Sequence, residues 1–493
     1  MGNYVKESYK MFIGGKWKNA ADNATLTALN PATGEKLASF PDATKEDVDA
    51  AVAAARAAFR DFKWTSVGER ADILDKIAKR IEDHAELLAN VESLDNGKPI
   101  RETRAVDVKY AYEHFKYFAG CIRADEGKAS ILEGNKLSMI LHEPIGVVGQ
   151  IIPWNFPFLM AAWKLAPAIA AGDCVVIKPS SLTSLSLLTL MELIEDILPA
   201  GVVNVVTGKG SKSGEYLKNH EGLDKLAFTG STEIGREIAV AAARRLIPAT
   251  LELGGKSANI IFDDADMKQA VDGVQLGILF NQGQVCCAGS RVFVQEGIYD
   301  EFVKKLVDVF RTVKVGNPLD EGTMMGCQID GRQVEKILSY VAIAEEEGAR
   351  IITGGKRHTD DGCEKGAFMQ PTLIADVTND MRVAQEEIFG PVAVIIKFKD
   401  EDDVIKMAND SCYGLGGAVF TQDIQRALYV ARGLETGRVW INCYNQIPEG
   451  SPFGGYKQSG IGRETHKVIL EHYTQMKNIM IDLTGEPSGF YNV

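Results

Sequence analysis

Apolar residues recur at three-to-four spacing through Val48, Ala51, Val52, Ala55, Ala58, Phe59 and Phe62, the period of one buried helix face. Thr44 stands where an N-cap belongs. The same pattern predicts amphipathic helices over 68–82 and 84–96. Asn96-Gly97-Lys98-Pro99 is a break, and helical spacing resumes near 103–120. Ahead of these helices, residues 1–43 read as short strands and turns, MFIGGKW and then NPATGE. From 122 to 144 the pattern is irregular and polar, with alternation in LSMILHE. Two readings stay open for it, an extended arm leaving the domain and a surface hairpin belonging to it.

The period changes from residue 146. GVVGQIIP is a short β-branched run, 157–171 is helix-like and DCVVIKPS is a second strand. Residues 184–198 form a strongly apolar helix that stops at Pro199-Ala200-Gly201. VVNVVTG and KLAFTG add strands, and 232–246 adds a helix. Strands alternating with helices predict a parallel, doubly wound sheet, which binds ligands at the carboxyl ends of its strands. A second run starts near 250, with strands in ATLELGG, SANIIFDD and RVFVQEG and helices over 267–282 and 299–313. It continues through PVAVIIKF, GAVFT and GRVWIN. The fold class is therefore α/β: two doubly wound lobes meeting near Leu253-Gly254-Gly255, plus a small extended arm. The closing segment, 470–493, is extended in NIMIDL and ends in a frayed tail.

Composition narrows the function classes. A chain of 493 residues with 45% hydrophobic and 25% charged residues is globular, with room for about three domains. A net charge of −13 disfavours general nucleic-acid binding, which draws on cations. Cysteines at 121, 174, 286, 287, 327, 363, 412 and 443 make no CxxC, and no HxxxH occurs. That argues against a metal site and a disulfide scaffold, and for thiols kept reduced in the cytoplasm. The N-terminus lacks an apolar signal core, and Lys6 stands where a myristoylation signal places Ser or Thr. Lys164, Pro167 and Asp173 interrupt the most apolar stretch, so no membrane span is expected.

Four motifs offer chemistry. Gly230-Ser231-Thr232-Glu233-Ile234-Gly235 follows a strand and opens a helix, so its N–H groups face any anion there. By contrast, Gly208–Gly214 fits no phosphate-loop pattern and reads as an ordinary turn. Cys286, between Gly283 and Gly289, is a thiol on a tightly turning loop, suited to carbonyl attack once deprotonated, or simply structural. Glu252, between two leucines at a strand end, is a candidate desolvated base, or a strand cap paired to Lys256. In Pro153-Trp154-Asn155-Phe156-Pro157 two prolines hold an amide suited to oxyanion binding, or an aromatic turn packed into the core.

Together these motifs resemble the aldehyde dehydrogenase superfamily. Lys178-Pro179-Ser180, Glu386-Glu387-Ile388-Phe389-Gly390-Pro391 and Ser451-Pro452-Phe453-Gly454-Gly455-Tyr456-Lys457-Gln458-Ser459-Gly460 extend the match, in family order, from about residue 12 to 475. The resemblance implies NAD(P)-dependent oxidation of an aldehyde to a carboxylate. It makes Cys286 the nucleophile and Glu252 the base that activates water. Asn155 and the Cys286 N–H become the oxyanion donors, and Lys164 and Glu464 a secondary proton path. Glu252 favours hydrolysis, because the CoA-acylating branch lacks it; Cys287 is a neighbour that lends oxidation sensitivity.

Cofactor roles carry over likewise. Lys178 is expected at the adenine ribose, Gly230 and Ser231 at the pyrophosphate, Glu387 at the nicotinamide ribose, and Phe389 and Trp154 beside the nicotinamide. Ser181 stands where many NAD-preferring members carry Glu, so with Ser180 it admits NADP beside NAD. Phe156, Trp163, Phe280 and Phe453 are expected to line the substrate tunnel, unless they are plain core residues. Three Phe and one Trp suit medium-chain aliphatic or aromatic aldehydes; betaine or amino-aldehydes are the alternative. A non-enzymatic thiol sensor on the same fold, or a thiol esterase, is the reading from another class. The resemblance also implies a dinucleotide-binding domain over 1–121 and 145–253, a catalytic domain over 254–469, and an oligomerisation arm and tail over 122–144 and 470–493. These last would make a homodimer or homotetramer.

Overall fold

The structure, a computed structural model, describes residues 4–491. Residues 1–3 of the N-terminal segment and 492–493 of the closing tail lie outside the described residues. The hairpin of Met11–Ile13 and Lys16–Lys18 adds antiparallel to one edge of the first sheet, through Phe12 opposite Val205. Helix Lys45–Phe62 starts with a capping box. The Thr44 N–H donates to the Asp47 carboxylate at 2.8 Å, and the Asp47 N–H donates back to the Thr44 hydroxyl at 3.3 Å.

The first sheet runs, in spatial order, Lys16–Lys18, Met11–Ile13, Val203–Val205, Cys174–Lys178, Val147–Ile151, Lys225–Thr229, Ala249–Glu252 and Gly460–Ile461. Its central strands are parallel, and register pairs Ile151 with Lys178 and Thr229 with Glu252. The carboxyl ends of four strands thus share one edge. Helix Pro157–Ala171 is buried along its whole length, as its apolar character on every side requires. The second sheet runs Arg350–Thr353, Thr372–Ala375, Val392–Phe398, Arg291–Gln295, Ala258–Ile261, Gly416–Phe420 and Arg438–Ile441, all parallel but the first.

The two sheets are tied beside Glu252. Strand Gly460–Ile461, late in the chain, pairs antiparallel with Leu251 and Glu252 of the first sheet. The Leu253 N–H donates to the Ser459 carbonyl at 3.0 Å. The Ser459 hydroxyl donates to the Gly254 carbonyl at 2.7 Å and accepts the Gly414 N–H at 2.9 Å.

Three helix expectations change, and the open reading of 122–144 is resolved. The helix expected near 103–120 opens with a wide π-helical turn at Thr103–Val108 and becomes regular only over Lys109–Arg123. That turn carries Asp107 fully inside, against Lys98. The apolar helix expected over 184–198 stops at Ile194, and the one over 267–282 stops at Leu279. The segment from 128 onward is a hairpin, Lys128–Leu132 with Lys136–Pro144, whose sheet includes neither lobe's strands. Thr474–Asp482 completes that antiparallel sheet.

Candidate active site

The shared edge of the first sheet gathers the expected residues. Asn155 follows strand Val147–Ile151, Ser180 and Ser181 follow Cys174–Lys178, Gly230 and Ser231 follow Lys225–Thr229, and Glu252 ends its own strand. Ligands of doubly wound sheets bind at this edge.

Cys286 reaches it from the second lobe. After Leu279 the chain makes a left-handed turn, with φ of +46° at Asn281, +56° at Gln282 and +72° at Gly283. Consecutive left-handed residues are costly, about 1–2 kcal/mol each for non-glycine, and survive only where their surroundings fix them. Here Asn281 and Gln282 are fully buried, and the Asn281 amide donates to the Gln284 carbonyl at 3.1 Å. The turn delivers Cys286 close to the Gly254-Gly255 pair. A Cβ on Gly255 would lie 2.4 Å from the Cys286 carbonyl, and one on Gly254 2.8 Å from a Glu387 oxygen. These glycines let two lobes approach backbone to backbone.

One cavity of about 290 Å³ joins the two lobes' contributions. Trp154, Asn155, Phe156, Trp163, Gly230, Ser231, Glu252, Phe280, Cys286, Glu387, Phe389 and Phe453 all line it. The Asn155 amide is aimed by a 2.8 Å bond from its Nδ2 to the Gln284 carbonyl. No group among the described residues accepts from the Cys286 N–H. Cys287 lines the same cavity: its thiol approaches Asn445 Oδ1 at 3.7 Å, and its carbonyl accepts from the Tyr444 hydroxyl at 2.8 Å.

Burial disfavours charge on both members of the pair. The adjoining Cys287 thiol and burial push the Cys286 thiol well above its ordinary range. Burial first, then the facing Cys286, push the Glu252 carboxyl well up. Glu252 is 2% exposed with Oε1 unbonded, and it makes no ion pair with Lys256 among the described residues. Behind the cavity, Lys164 and Glu464 form a buried ion pair at 2.7 Å, so neither is a surface charge. Glu464 also bridges to Phe453, whose N–H donates to its carbonyl at 3.0 Å.

Three aromatic pairs wall the cavity. Phe156 and Phe280 rings lie 5.8 Å apart, Trp163 and Phe453 5.6 Å, and Trp154 and Phe389 5.2 Å edge to face. Phe389 sits at φ +63°, and its carbonyl is gripped by the Gln333 side chain at 2.7 Å.

The residues present fit a dinucleotide. Gly230 and Ser231 open the 14-residue helix Thr232–Arg245, a length that gives a full dipole end. The buried Thr229 hydroxyl beside them has no partner among the described residues. Glu387 accepts the Gly255 N–H at 3.0 Å, which steadies it at the cavity wall. Lys178, Ser180 and Ser181 stand outside the cavity lining, at the next strand end. Burial lowers the Lys178 ammonium to about 8, and its Nζ donates to the Pro179 carbonyl at 2.9 Å.

Sequence reasoning missed Gln333, Lys336 and Tyr110, which also line the cavity, and Lys98, which had read as part of a break. The first three lie on amphipathic helices, where nothing local distinguishes them.

The fold and site define a class: a two-lobed α/β protein with a cysteine and a carboxylate lining one cavity at the carboxyl edge of a doubly wound sheet. The aldehyde dehydrogenase family profile matches residues 17–479, and the chain belongs to that family. It is 49% identical over 498 aligned positions to acetaldehyde dehydrogenase 2 of Cupriavidus necator, covering 100% of this chain and 98% of that protein. A betaine aldehyde dehydrogenase of Staphylococcus aureus, solved with NAD+, superposes with a TM-score of 0.95 at 42% identity, over 98% of this chain and 96% of that one. A putative aldehyde dehydrogenase of Burkholderia cenocepacia gives 0.97 at 41% identity, over 99% and 100%.

Proposed function

We propose that the protein oxidises an aldehyde to its carboxylic acid, with NAD as electron acceptor, through an acyl thioester on Cys286. The convergence of Cys286, Glu252 and Asn155 on one aromatic-walled cavity carries this reading. Glu252 takes the thiol proton, and the sulfur attacks the aldehyde carbon to form a hemithioacetal oxyanion. The Asn155 amide and the Cys286 N–H donate to that oxyanion; removing one such donor lowers rates about 10²–10³-fold. NAD, held by Gly230, Ser231, Glu387 and Lys178, supplies the acceptor for the hydride that leaves the former aldehyde carbon. The acyl group is then a thioester on Cys286. Glu252 next removes a proton from water, whose oxygen attacks the thioester; the C–S bond breaks and the carboxylate departs. The Lys164–Glu464 pair lies where protons from Glu252 pass inward.

Aliphatic and aromatic aldehydes fit the wall of Phe156, Phe280, Phe453 and Trp163, and the acetaldehyde-oxidising relative supports short chains. A second reading, a betaine or amino-aldehyde, draws on the Staphylococcus aureus relative and on the ring of Trp163, which suits a cation. Ser180 and Ser181, with no carboxylate at the second position, support some use of NADP. A panel of acetaldehyde, hexanal, benzaldehyde and betaine aldehyde with both cofactors tests all of this. We expect fastest NADH formation with an uncharged aldehyde and none with Cys286→Ser; turnover surviving in that variant sinks the mechanism.

The resemblance divides the chain in three, with strand Gly460–Ile461 crossing from the second part into the first sheet. Residues 1–121 and 145–253 bind the dinucleotide, 254–469 carry the nucleophile, and 122–144 with 470–493 join subunits. On one face of the third sheet, Ile131, Leu137 and Ile481 stand in one row and Met139 and Ile479 in the next. Such an apolar face calls for cover, and a second copy supplies it in a homodimer or homotetramer. The described cysteines are all free thiols, which suits the cytoplasm.

A further inference from the structure

We propose that Lys98 is a positioning residue for the oxyanion donor: through the backbone carbonyl of Asn155 and the ring of Phe156 it fixes the peptide that carries both side chains. The proposal rests on the role given to Asn155 above.

The Pro153–Pro157 loop cannot hold itself. Its prolines have no N–H to donate, so its carbonyls must be met from elsewhere. Asn96 Nδ2 donates to the Trp154 carbonyl at 2.7 Å. The Asn155 carbonyl receives Lys98 Nζ at 2.9 Å and Asn281 Nδ2 at 2.8 Å, with Asn96 Nδ2 more distant at 3.5 Å. Asn281 also donates to the Gln284 carbonyl, the acceptor that aims the Asn155 side chain. Side chain and carbonyl of Asn155 are therefore clamped in one ring of hydrogen bonds with Gln284 and Asn281, and Lys98 adds a charged donor to the carbonyl from outside the ring.

Lys98 is itself immobilised. Its ammonium lies 2.7 Å from Asp107 and 3.6 Å from Glu92, with all three side chains fully buried. It also stands 4.2 Å over the ring of Phe156. An ammonium has three donor directions and no acceptor. Here Asp107, the Asn155 carbonyl and the Phe156 face account for them. The wide turn at Thr103–Val108 is what brings Asp107 inward.

Stability alone does not explain a buried charge here. A neutral amide would satisfy one carbonyl, and buried ion pairs often stabilise less than an apolar replacement of like volume. What a paired ammonium adds is direction. It fixes the peptide between residues 155 and 156 against an anchored carboxylate, and misplacement by about 1 Å can lower a rate about 10²-fold.

A double-mutant cycle on kcat tests this with the full-length enzyme, NAD and acetaldehyde. Asn155→Ala alone should lower kcat at least about 10²-fold. Lys98→Met alone should lower it by about 10²-fold, with KM for NAD unchanged. In the Asn155→Ala background, Lys98→Met should change kcat by no more than about twofold, since the donor it positions is gone. Equal losses in both backgrounds overturn the proposal and leave the Asn155 role standing, as does a fall in Tm with kcat unchanged. Full kcat in Asn155→Ala overturns both. Should Lys98→Met fail to fold, Asp107→Asn keeps the shape and releases the ammonium. A kcat loss in that variant that vanishes in the Asn155→Ala background supports the proposal, and a loss that persists there, or none in either, overturns it.

Discussion

Cys286 and Glu252 face each other in a pocket that penalises charge on either, so the proton transfer proposed between them governs the pH dependence expected of the site. Because burial lifts the Glu252 carboxyl, the base is formed only above the usual carboxylate range. Activity should therefore fall on the acid side at a pH above that range, and a pH–rate profile of kcat locates the limb. In Glu252→Gln, thioester hydrolysis should slow by about 10²–10⁴-fold, and the NADH burst, which also needs Glu252 to deprotonate Cys286, should form more slowly; rapid mixing reads the two phases apart. A variant with no burst and no slowing removes Glu252 from hydrolysis. At the cofactor end, Ser181→Glu puts a carboxylate where a 2′-phosphate would sit. Its kcat/KM for NADP should drop by about tenfold or more, with that for NAD held or raised. Residue identity was the most legible layer of the sequence. Cys286, Glu252 and Asn155 each stood in a short motif whose chemistry was readable, and all three line one cavity.

Elements were legible where their period was regular and illegible where long-range contacts overrode it. Helix Pro157–Ala171 and strand Lys225–Thr229 follow directly from local pattern. The turn at Asn281-Gln282-Gly283 does not, because the same residues could continue helix Met267–Leu279; only the clamp on Asn155 and Gln284 selects the left-handed path. The π-helical turn and the buried Lys98 were hidden for a related reason, since Asp107 meets Lys98 only through that irregular turn and the Asn155 carbonyl it also meets is remote in sequence. This cluster also sets a pH dependence of stability. Burial raises the Glu102 carboxyl to about 8, and it accepts the Asn281 N–H at 3.0 Å. The unfolded chain releases this proton near pH 4.3, so between there and about 8 the folded state holds a proton the unfolded state does not. Stability from this group is present below the lower value and is lost as pH rises through the upper one. Thermal unfolding of Glu102→Gln at pH 5 and pH 9 should show a smaller fall in Tm across that interval than the unchanged protein. An equal fall assigns the dependence elsewhere.

At the scale of the whole molecule, the third sheet stands apart from both lobes with one apolar face. Ile131→Glu together with Ile481→Glu places two charges on that face without touching the cavity. Sedimentation should show these variants as a smaller species than the unchanged protein, and unchanged size excludes this face as the subunit contact. Pattern alone left an arm and a surface hairpin equally open for residues 122–144, because the partner strand Thr474–Asp482 lies at the far end of the chain. The tie at Ser459 has a different reach. It sews the two halves together along the seam next to Glu252, so the molecule has no free spine about which it could swing open like a book. Traffic in and out of the cleft has to thread past side chains in an aperture of fixed span, and the Trp154 and Phe389 rings, set edge to face beside it, are the parts left to move aside.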